Sequence, residues 1–490
     1  MTPTKEDSMT LPHVPRRSLF SLAALGAGAG IAGSLSLPSV AHADSRDHSI
    51  GYGPLVVDPK GLIDLPAGFS YNVLAISNAV LANGVAVAPT TLTDGGENSP
   101  SRYDGSGSFP RRGGGAVLVQ NHENGTTAVF PVPHRSGITY DSGAAWGGTT
   151  TLSVDRNGHR VSEIVSLSGT ISNCAGGVTP WNTWLTCEET EIKAGESGAT
   201  KNHGYVFEVD PYDQRRNADP QPIKAFGRYP HEAMVVDPSS GCTYGTEDAG
   251  SPNGLLYRWT PDRHGRSRGF RDLGPTAGTL EAMYCTKSGA FVPDLSVFSQ
   301  LGTTLDVTWV KVPDRDAASI STRKQFDYLT KDTTGAYTVP VAGPAGPITR
   351  SRKLEGAWWS RGGFYFDASY ARPSDGSAST HDGQIWFFDV SRQKIRLIAY
   401  FPATADQDVD VDGPDNLTVN PHGGLVICED GDGVNHLVTV GLDGSSAFFG
   451  RNRNDSEFTG ANFSPDGRTL FANSQDPGVV FAIAGPWRRS

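Results

Sequence analysis

The chain has 490 residues, a formal net charge of −11, 59 glycines and 33 prolines. Its acidic surplus disfavours nucleic acid as a partner, and 5 cysteines are too few for a disulfide scaffold. The glycine- and proline-rich composition, with 15 tyrosines, 9 tryptophans and few long helical patterns, favours an all-β fold.

The first 43 residues are typical of an export signal. A twin arginine at 16–17 precedes a mild apolar run, and the A-x-A sequence at 41–43 fits a cleavage site. This pattern predicts the Tat pathway and a secreted or periplasmic protein, with the Tat machinery as a partner. A membrane anchor is the alternative. We expect 44–490 to be a single propeller domain that is monomeric and makes no membrane contact.

A strand–turn–strand unit recurs along the chain, and it usually has Pro in the turn and a polar or acidic end. The copies, in chain order, are GGAVLVQNHENG from 114 with TTTLSVDRNG from 149, NCAGGVTPWNTWLTCEE from 173, HEAMVVDPSSGCTYGTED from 231, LEGAWWSRGGFYFDAS from 354, PDNLTVNPHGGLVICEDG from 414 and TGANFSPDGRTLFANSQD from 459.

Recurring units of short antiparallel strands predict an all-β, six-bladed β-propeller. A pair of β-sandwiches is the alternative, but it gives no reason for the unit to recur. The segment from about 270 to 350 fits the unit poorly. We expect it to be an inserted subregion or a blade with long loops.

Potential metal ligands occupy one repeated position in these units. In four units a potential ligand lies five residues before the turn position, which usually precedes Pro: Cys174, Glu232, Glu355 and Asp415. In the last unit, Glu457 lies two residues early by the same count. Since the innermost strands of a propeller line one channel, equivalent positions converge there.

A second repeated position follows the turn. Ten residues after it lie Glu189, Glu247 and Asp430. So many carboxylates repel one another unless cations lie among them. Calcium prefers such oxygen ligands, whereas the Cys174 thiolate indicates a softer metal such as iron or zinc. The sequence therefore predicts a channel that holds several cations.

Other cysteines and histidines are expected to be structural. The remaining cysteines are interpreted as small buried core residues: Cys187, Cys242, Cys285 and Cys428. Three histidines in motif-like segments are interpreted as hydrogen-bonded structural residues rather than ligands: His122, His231 and His381. The sequence contains no G-x-S-x-G, H-E-x-x-H or Walker motif.

The chain resembles the PhoX-type alkaline phosphatases, exported bacterial enzymes with a metal-filled six-bladed propeller. The matching pieces run in order from about residue 51 to the C-terminus: VLVQNHENG, NCAGGVTPWNTWLTCEE, GRYPHEAMVVDP, LEGAWW, GQIWFFD, PDNLTVNPHGGLVICEDG and EFTGANFSPDGRTLFANSQDPG. The resemblance implies a metal cluster of two ferric ions with calcium ions, bridged by oxide. It also implies that the enzyme hydrolyses phosphate monoesters.

The resemblance also assigns ligands. It implies that iron is bound by three residues: Cys174, Glu232 and Glu457. It implies calcium or bridging ligands at five: Glu123, Glu189, Glu355, Asp415 and Asp430. Asn121 either contributes an oxygen or satisfies a turn at the end of a strand.

Lys353 marks a departure from the family, which tends to have Arg at this position, facing the substrate phosphate. Lysine is a point charge and lacks the fork of arginine. Alternation along a strand puts Lys353 and Glu355 on one face, and we expect both to be catalytic. A solvated surface position is the alternative for Lys353, and Arg350 and Arg352 lie close by.

The sequence thus predicts an exported, metal-dependent phosphomonoesterase that acts on a small phosphate ester. One alternative is another calcium-dependent propeller hydrolase, such as a lactonase. A second is a non-catalytic propeller scaffold with structural calcium. Metal analysis would separate the phosphatase from the lactonase, and hydrolysis of a chromogenic phosphate ester would argue against the scaffold.

Overall fold

Antiparallel strands make up almost all of the regular structure in the computed structural model, which describes residues 50–78, 86–263, 269–406 and 408–488. The signal predicted at 1–43 lies outside these described residues. Within them, no helix has both the length and the apolar character that crossing a membrane requires.

The described residues form twenty-nine strands and five 3-10 helices. The strands are β1 Leu55–Val56, β2 Ile63–Pro66, β3 Ser70–Ile76, β4 Tyr103–Pro110, β5 Ala116–His122, β6 Gly147–Val154, β7 Arg160–Thr170, β8 Asn173–Val178, β9 Trp184–Glu188, β10 Val206–Val209, β11 His231–Val236, β12 Thr243–Glu247, β13 Leu256–Thr260, β14 Thr279–Lys287, β15 Ala290–Val292, β16 Thr304–Lys311, β17 Tyr328–Lys331, β18 Tyr337–Val341, β19 Leu354–Ser360, β20 Gly363–Ala368, β21 Gly383–Asp389, β22 Lys394–Phe401, β23 Pro414–Val419, β24 Leu425–Glu429, β25 His436–Val440, β26 Ser446–Asn452, β27 Phe458–Phe463, β28 Thr469–Ser474 and β29 Val479–Ala484. The 3-10 helices are Gln214–Asn217, Lys224–Phe226, Leu295–Val297, Thr322–Gln325 and Pro373–Asp375.

Most strands belong to antiparallel meanders that follow one another along the chain. Examples are the sheets β4-β5-β6-β7 and β8-β9-β10, and the sheet β27-β28-β29, which takes in β3 as its fourth strand. The first strands of the meanders contact one another in the cyclic order β4, β8, β11, β19, β23, β27 and back to β4. The predicted all-β, propeller-like architecture is confirmed.

The 270–350 segment supplies strands to two neighbouring meanders. Strand β16 pairs with β14 on one side and with β22 on the other, which joins β11–β14 and β19–β22 into one ten-stranded sheet. Pairing of this kind covers sheet edges that would otherwise expose unpaired N–H and C=O groups. The same segment also contains a separate hairpin, β17–β18.

The core lies between the sheets. The cysteines interpreted as core residues lie in its apolar clusters: Cys187, Cys242, Cys285 and Cys428. Phe481 of β29 is fully buried and packs edge-to-face on Tyr71 of β3, with ring centroids 5.4 Å apart. This contact fastens an N-terminal strand to the last meander.

We expect Phe481→Ala to lower the free energy of unfolding by about 3–5 kcal/mol, because it leaves a cavity where β3 joins the sheet. Urea unfolding measures this loss. Val161→Ala, at a position 50% exposed on β7, is the control and should change stability by about 0.5 kcal/mol or less. Equal effects of the two substitutions would contradict the role of this contact.

Candidate metal centre

A β-bulge begins the first strand of each meander in the contact cycle. After the first one or two residue pairs, the register of β4, β8, β11, β19, β23 and β27 shifts against the partner strand. Bulges re-aim side chains and are frequent next to active sites. In five of these strands the residue after the first pair is a potential metal ligand: Asp104, Cys174, Glu232, Glu355 and Asp415.

The partner strands contribute a second set of residues at the same end. Each of these residues directly follows the one that pairs with the start of the bulged strand: Glu123, Glu189, Asp248 and Asp430. In the last meander, Glu457 immediately precedes β27 and takes the place of a bulge ligand. Residues far apart in sequence are thereby brought to one end of the inner strands.

All of these side chains except Asp248 form four linked groups of three. Within each group, one potential ligand atom from each residue lies within 4.8 Å of the others. The groups are Asp104–Glu123–Cys174, Cys174–Glu189–Glu232, Glu232–Glu355–Asp415 and Asp415–Asp430–Glu457. Every metal ligand expected from the sequence thus lies in one continuous chain of groups. Glu457 lies with Asp415 and Asp430 rather than with Cys174.

Glycines let the bulged strands approach one another closely. A Cβ atom added to Gly356 of β19 would lie 2.5 Å from the carbonyl oxygen of Asp415 in β23. A Cβ at Gly105 of β4 would lie 2.4 Å from the Cα of Ala175 in β8. Such separations exclude any larger side chain, so glycine at these positions brings the ligands of neighbouring meanders together.

Asp104 is a candidate ligand that the sequence pattern does not reveal. The pattern begins the first unit at residue 114, whereas its inner strand is β4, which starts at Tyr103. Asp104 lies five residues before Phe109, which precedes Pro110. The count that found Cys174 would therefore have found Asp104 as well.

The sequence count also misaligned one acidic pair. It placed Glu247 with Glu189 and Asp430, but Glu247 pairs with His231 in the structure, so Asp248 is the equivalent residue. From the first paired residue to its partner, the hairpin β11–β12 is one residue longer than β8–β9 and β23–β24, and this shifts the count. Glu247 is buried and accepts a hydrogen bond from the Tyr257 hydroxyl at 2.9 Å.

Burial and mutual repulsion both disfavour the charged forms of the acids in the centre. Burial raises the pKa values of Glu232 and Asp415 well above their ordinary range, and neighbouring carboxylates raise them further. Burial also raises the pKa of the Cys174 thiol, as do Glu189 and Glu232, and its Sγ donates to Glu189 Oε2 at 3.2 Å. Bound cations would relieve this repulsion. The donor set fits several oxygen-preferring cations and, at Cys174, a softer one.

Two basic residues border the centre at equivalent positions. Lys353 directly precedes β19 as Arg102 precedes β4, and both have positive φ angles, 43° and 54°. Such angles are uncommon outside glycine and concentrate at functional sites. Lys353 Nζ lies 2.7 Å from Asp248 Oδ2 and 2.9 Å from Glu355 Oε1, and Arg102 pairs with Glu123.

Lys353 is therefore not a solvated surface residue. Its side chain is 14% exposed. Burial lowers its pKa, but Asp248 and Glu355 raise it well above the ordinary value, so the ammonium stays charged. By contrast, Arg350 donates to the backbone carbonyls of Asn253 and Asp327 and serves the scaffold.

Asn121 holds the bulge at Cys174 in place. Its Nδ2 donates to the carbonyl oxygens of Cys174 and Ala175 at 2.6 and 2.7 Å. Its Oδ1 accepts from Trp184 Nε1 at 2.9 Å. Since the amide oxygen already has a partner, Asn121 positions the thiol rather than offering a ligand oxygen.

The three motif histidines lie outside the ligand groups. The ring nitrogens of His122 lie 3.0 Å from Ser101 O and Thr150 Oγ1. Burial lowers the pKa of His122 and of His231 to about 3, and burial with Arg372 lowers that of His381 to about 4. Neutral, buried imidazoles of this kind are structural.

Comparison with known proteins identifies the family. The sequence model of the alkaline phosphatase PhoX family matches residues 50–164 and 157–478, which is most of the chain. The chain belongs to the alkaline phosphatase PhoX family. Membership makes it a phosphoric monoester hydrolase and decides against the lactonase and scaffold alternatives. No curated protein matches the chain.

One solved structure supports the fold. Pseudomonas fluorescens PhoX in complex with vanadate, a transition state analogue, is 17% identical and has a TM-score of 0.61 over 88% of this chain and 97% of that chain. A gluconolactonase from Xanthomonas campestris is 13% identical, with a TM-score of 0.38 over 89% and 98%. The pyranose dehydrogenase PQQ domain from Coprinopsis cinerea is 10% identical, with a TM-score of 0.38 over 87% and 98%. The last two likenesses support no functional conclusion.

His203 is buried and contacts two acidic side chains, one of which adjoins a candidate ligand. Its Nδ1 lies 2.6 Å from Glu188 Oε1 and its Nε2 lies 3.2 Å from Asp141 Oδ2, and all three side chains are fully buried. Burial lowers the pKa of His203, but Glu188 and Asp141 raise it more, and the net shift is upward. Because Glu188 adjoins Glu189, this triad anchors a ligand.

Since its folded pKa is raised, His203 contributes stability that is complete below its unfolded pKa of about 6.5 and is lost as pH rises through the folded pKa. His203→Gln should cost about 3 kcal/mol at pH 5.5 and progressively less at higher pH, measured by urea unfolding. His159→Gln, at a side chain 64% exposed, is the control. A cost of His203→Gln that does not depend on pH would contradict a charged His203.

Proposed function

We propose that the chain hydrolyses phosphate monoesters at the linked carboxylate and thiol groups, with ferric iron and calcium as resident ions. The observation that carries this proposal is that a member of a phosphatase family brings all the expected ligands into one continuous chain of groups. We further infer that the propeller has six blades, which the cyclic contact order of its inner strands supports.

The donor types suggest where each ion would lie. Iron would lie at Cys174, whose thiol belongs to two groups, one with Asp104 and Glu123 and one with Glu189 and Glu232. The all-carboxylate groups, including that of Glu457, suit hard cations, either ferric iron or calcium. Once bound, these ions would polarise the phosphate oxygens as Lewis acids.

Lys353 would bind the substrate phosphate. Its ammonium has three N–H donors, and Asp248 and Glu355 orient it from two directions. The ammonium donates a hydrogen bond to Asp248, and at least one N–H remains for a phosphate oxygen. As a preorganised positive charge, Lys353 would stabilise the negative charge that develops in the transition state. Glu355 would act by fixing this ammonium as well as by binding a cation.

We also propose that the protein is exported. The twin arginine at 16–17 and the A-x-A sequence at 41–43 support passage through the Tat machinery and release of 44–490 as a secreted or periplasmic enzyme. The Tat route suits a protein that folds and takes up its metal before export.

The test of this function centres on Cys174. Wild-type protein, purified without chelator, should hydrolyse 4-nitrophenyl phosphate and contain iron. Cys174→Ser should lose iron, any visible absorption from a ferric–thiolate bond, and turnover, because a hydroxyl is a poor replacement for a thiolate ligand. Elemental analysis and steady-state kinetics measure these losses.

Cys187→Ser is the matched control. Cys187 is fully buried in an apolar cluster one strand away, so this change should lower the melting temperature and keep the iron content. A Cys174→Ser protein with full iron and full turnover would refute the ligand assignment. Wild-type protein without phosphatase activity would refute the function.

Lys353→Ala should lower kcat by about 10² to 10³ with metal content unchanged, because one preorganised charged donor is lost. Lys353→Arg should retain or raise activity, since the guanidinium fork matches a phosphate. Lys394→Ala, which removes an exposed partner of Asp306 on an outer strand, is the control. Wild-type rates in Lys353→Ala would assign substrate binding to another cation, with Arg102, Arg352 and Arg453 next to test.

A further inference from the structure

A cavity of about 580 Å³ is walled by the hairpin β17–β18, the loop after β12 and the segment 373–378. Much of its lining is apolar and includes Phe291, Tyr328, Leu329 and Tyr337. Its size and character are those of small-molecule sites, which combine apolar walls with a few polar groups. The ligand chain described above includes none of these residues.

Two short connections run from the cavity lining to the candidate metal centre. Pro252 and Asn253, which line the cavity, follow closely after Asp248 of the centre in the chain. Asp375, another lining residue, lies 3.3 Å from the guanidinium of Arg352, the residue that precedes Lys353. Since Lys353 and Asp248 are themselves paired, both connections lead to the same ion pair.

Asn253 places an unused hydrogen-bond acceptor at the cavity. The residue is 4% exposed, and its Oδ1 has no hydrogen-bond partner among the described residues. Its Nδ2 donates to Ser377 Oγ at 3.3 Å, which fixes the orientation of the amide. A buried acceptor without a partner is costly and calls for a ligand that donates to it.

The charges at the cavity restrict the ligand further. Asp294, Asp327 and Asp375 line it, and Arg350 is the basic residue among them. The Arg350 donors are already directed to backbone carbonyls. A second phosphate or a carboxylate on the ligand would therefore be repelled.

From the lining, the unpartnered acceptor of Asn253 and the two connections to the centre, we propose that this cavity binds the organic leaving group of the substrate while the phosphate lies at the metal centre. This inference rests on the proposed phosphatase function. The substrates it selects are phosphate monoesters of an uncharged, apolar and preferably aromatic group that carries one hydrogen-bond donor. Esters with a second anionic group are disfavoured.

The test compares two esters, 2-naphthyl phosphate and methyl phosphate, with metal-loaded enzyme. Ala342→Trp fills the cavity from the end of β18, at an exposed residue of the lining. It should raise KM for the naphthyl ester about tenfold and leave methyl phosphate kinetics unchanged. Ala484→Trp, at an exposed residue outside the lining, is the matched control and should change neither.

Asn253→Leu is a second variant with the opposite expected sign. It replaces the unpartnered acceptor by an apolar group of similar size, and so should lower KM for 2-naphthyl phosphate about threefold without affecting methyl phosphate. If both variants change the two esters equally, or change neither, the cavity assignment is overturned and the phosphatase function stands. Failure of the wild-type enzyme to hydrolyse either ester would overturn both.

Discussion

Repulsion among buried acids is the constraint on which the rest of the structure depends. Carboxylates from every meander meet at one end of the inner strands, and burial with mutual repulsion raises the pKa values of Glu189, Glu232 and Glu457 well above the ordinary range. Alone, such a cluster would drive the strands apart or stay protonated. The fold holds it together through the bulged strands, which fix the ligands, and through basic residues at its border.

Three pairs of adjacent acids each contain one acid that the scaffold fixes and one that lies at the centre. In the pairs Glu188–Glu189, Glu247–Asp248 and Glu429–Asp430, the first acid is fully buried and bonded by the scaffold. The second faces the centre or its bordering lysine. Because the first acid is fixed by a histidine or a tyrosine, the second acid is held in position before any cation arrives. Preorganisation of this kind lowers the cost of binding.

Much of the fold and most of the candidate ligands could be predicted from the sequence, because a repeated unit puts equivalent residues at equivalent places. That periodicity found Cys174 and Asp415. It failed where local length varies: the extra residue in β11–β12 concealed Asp248, and an early strand start concealed Asp104. The pairing of β16 with two meanders is a long-range choice that no local pattern encodes.

Arg102 and Lys353 offset part of the negative charge of the centre. In the cyclic contact order, β4 and β19 are separated by two inner strands in either direction, so the two residues approach the centre from opposite sides. Each holds a local carboxylate, Glu123 for Arg102 and Glu355 for Lys353. Both also have positive φ angles. Between these two fixed cations, the acidic side chains leave the centre negative. Further cations would bind there, and a phosphate would bind to those cations.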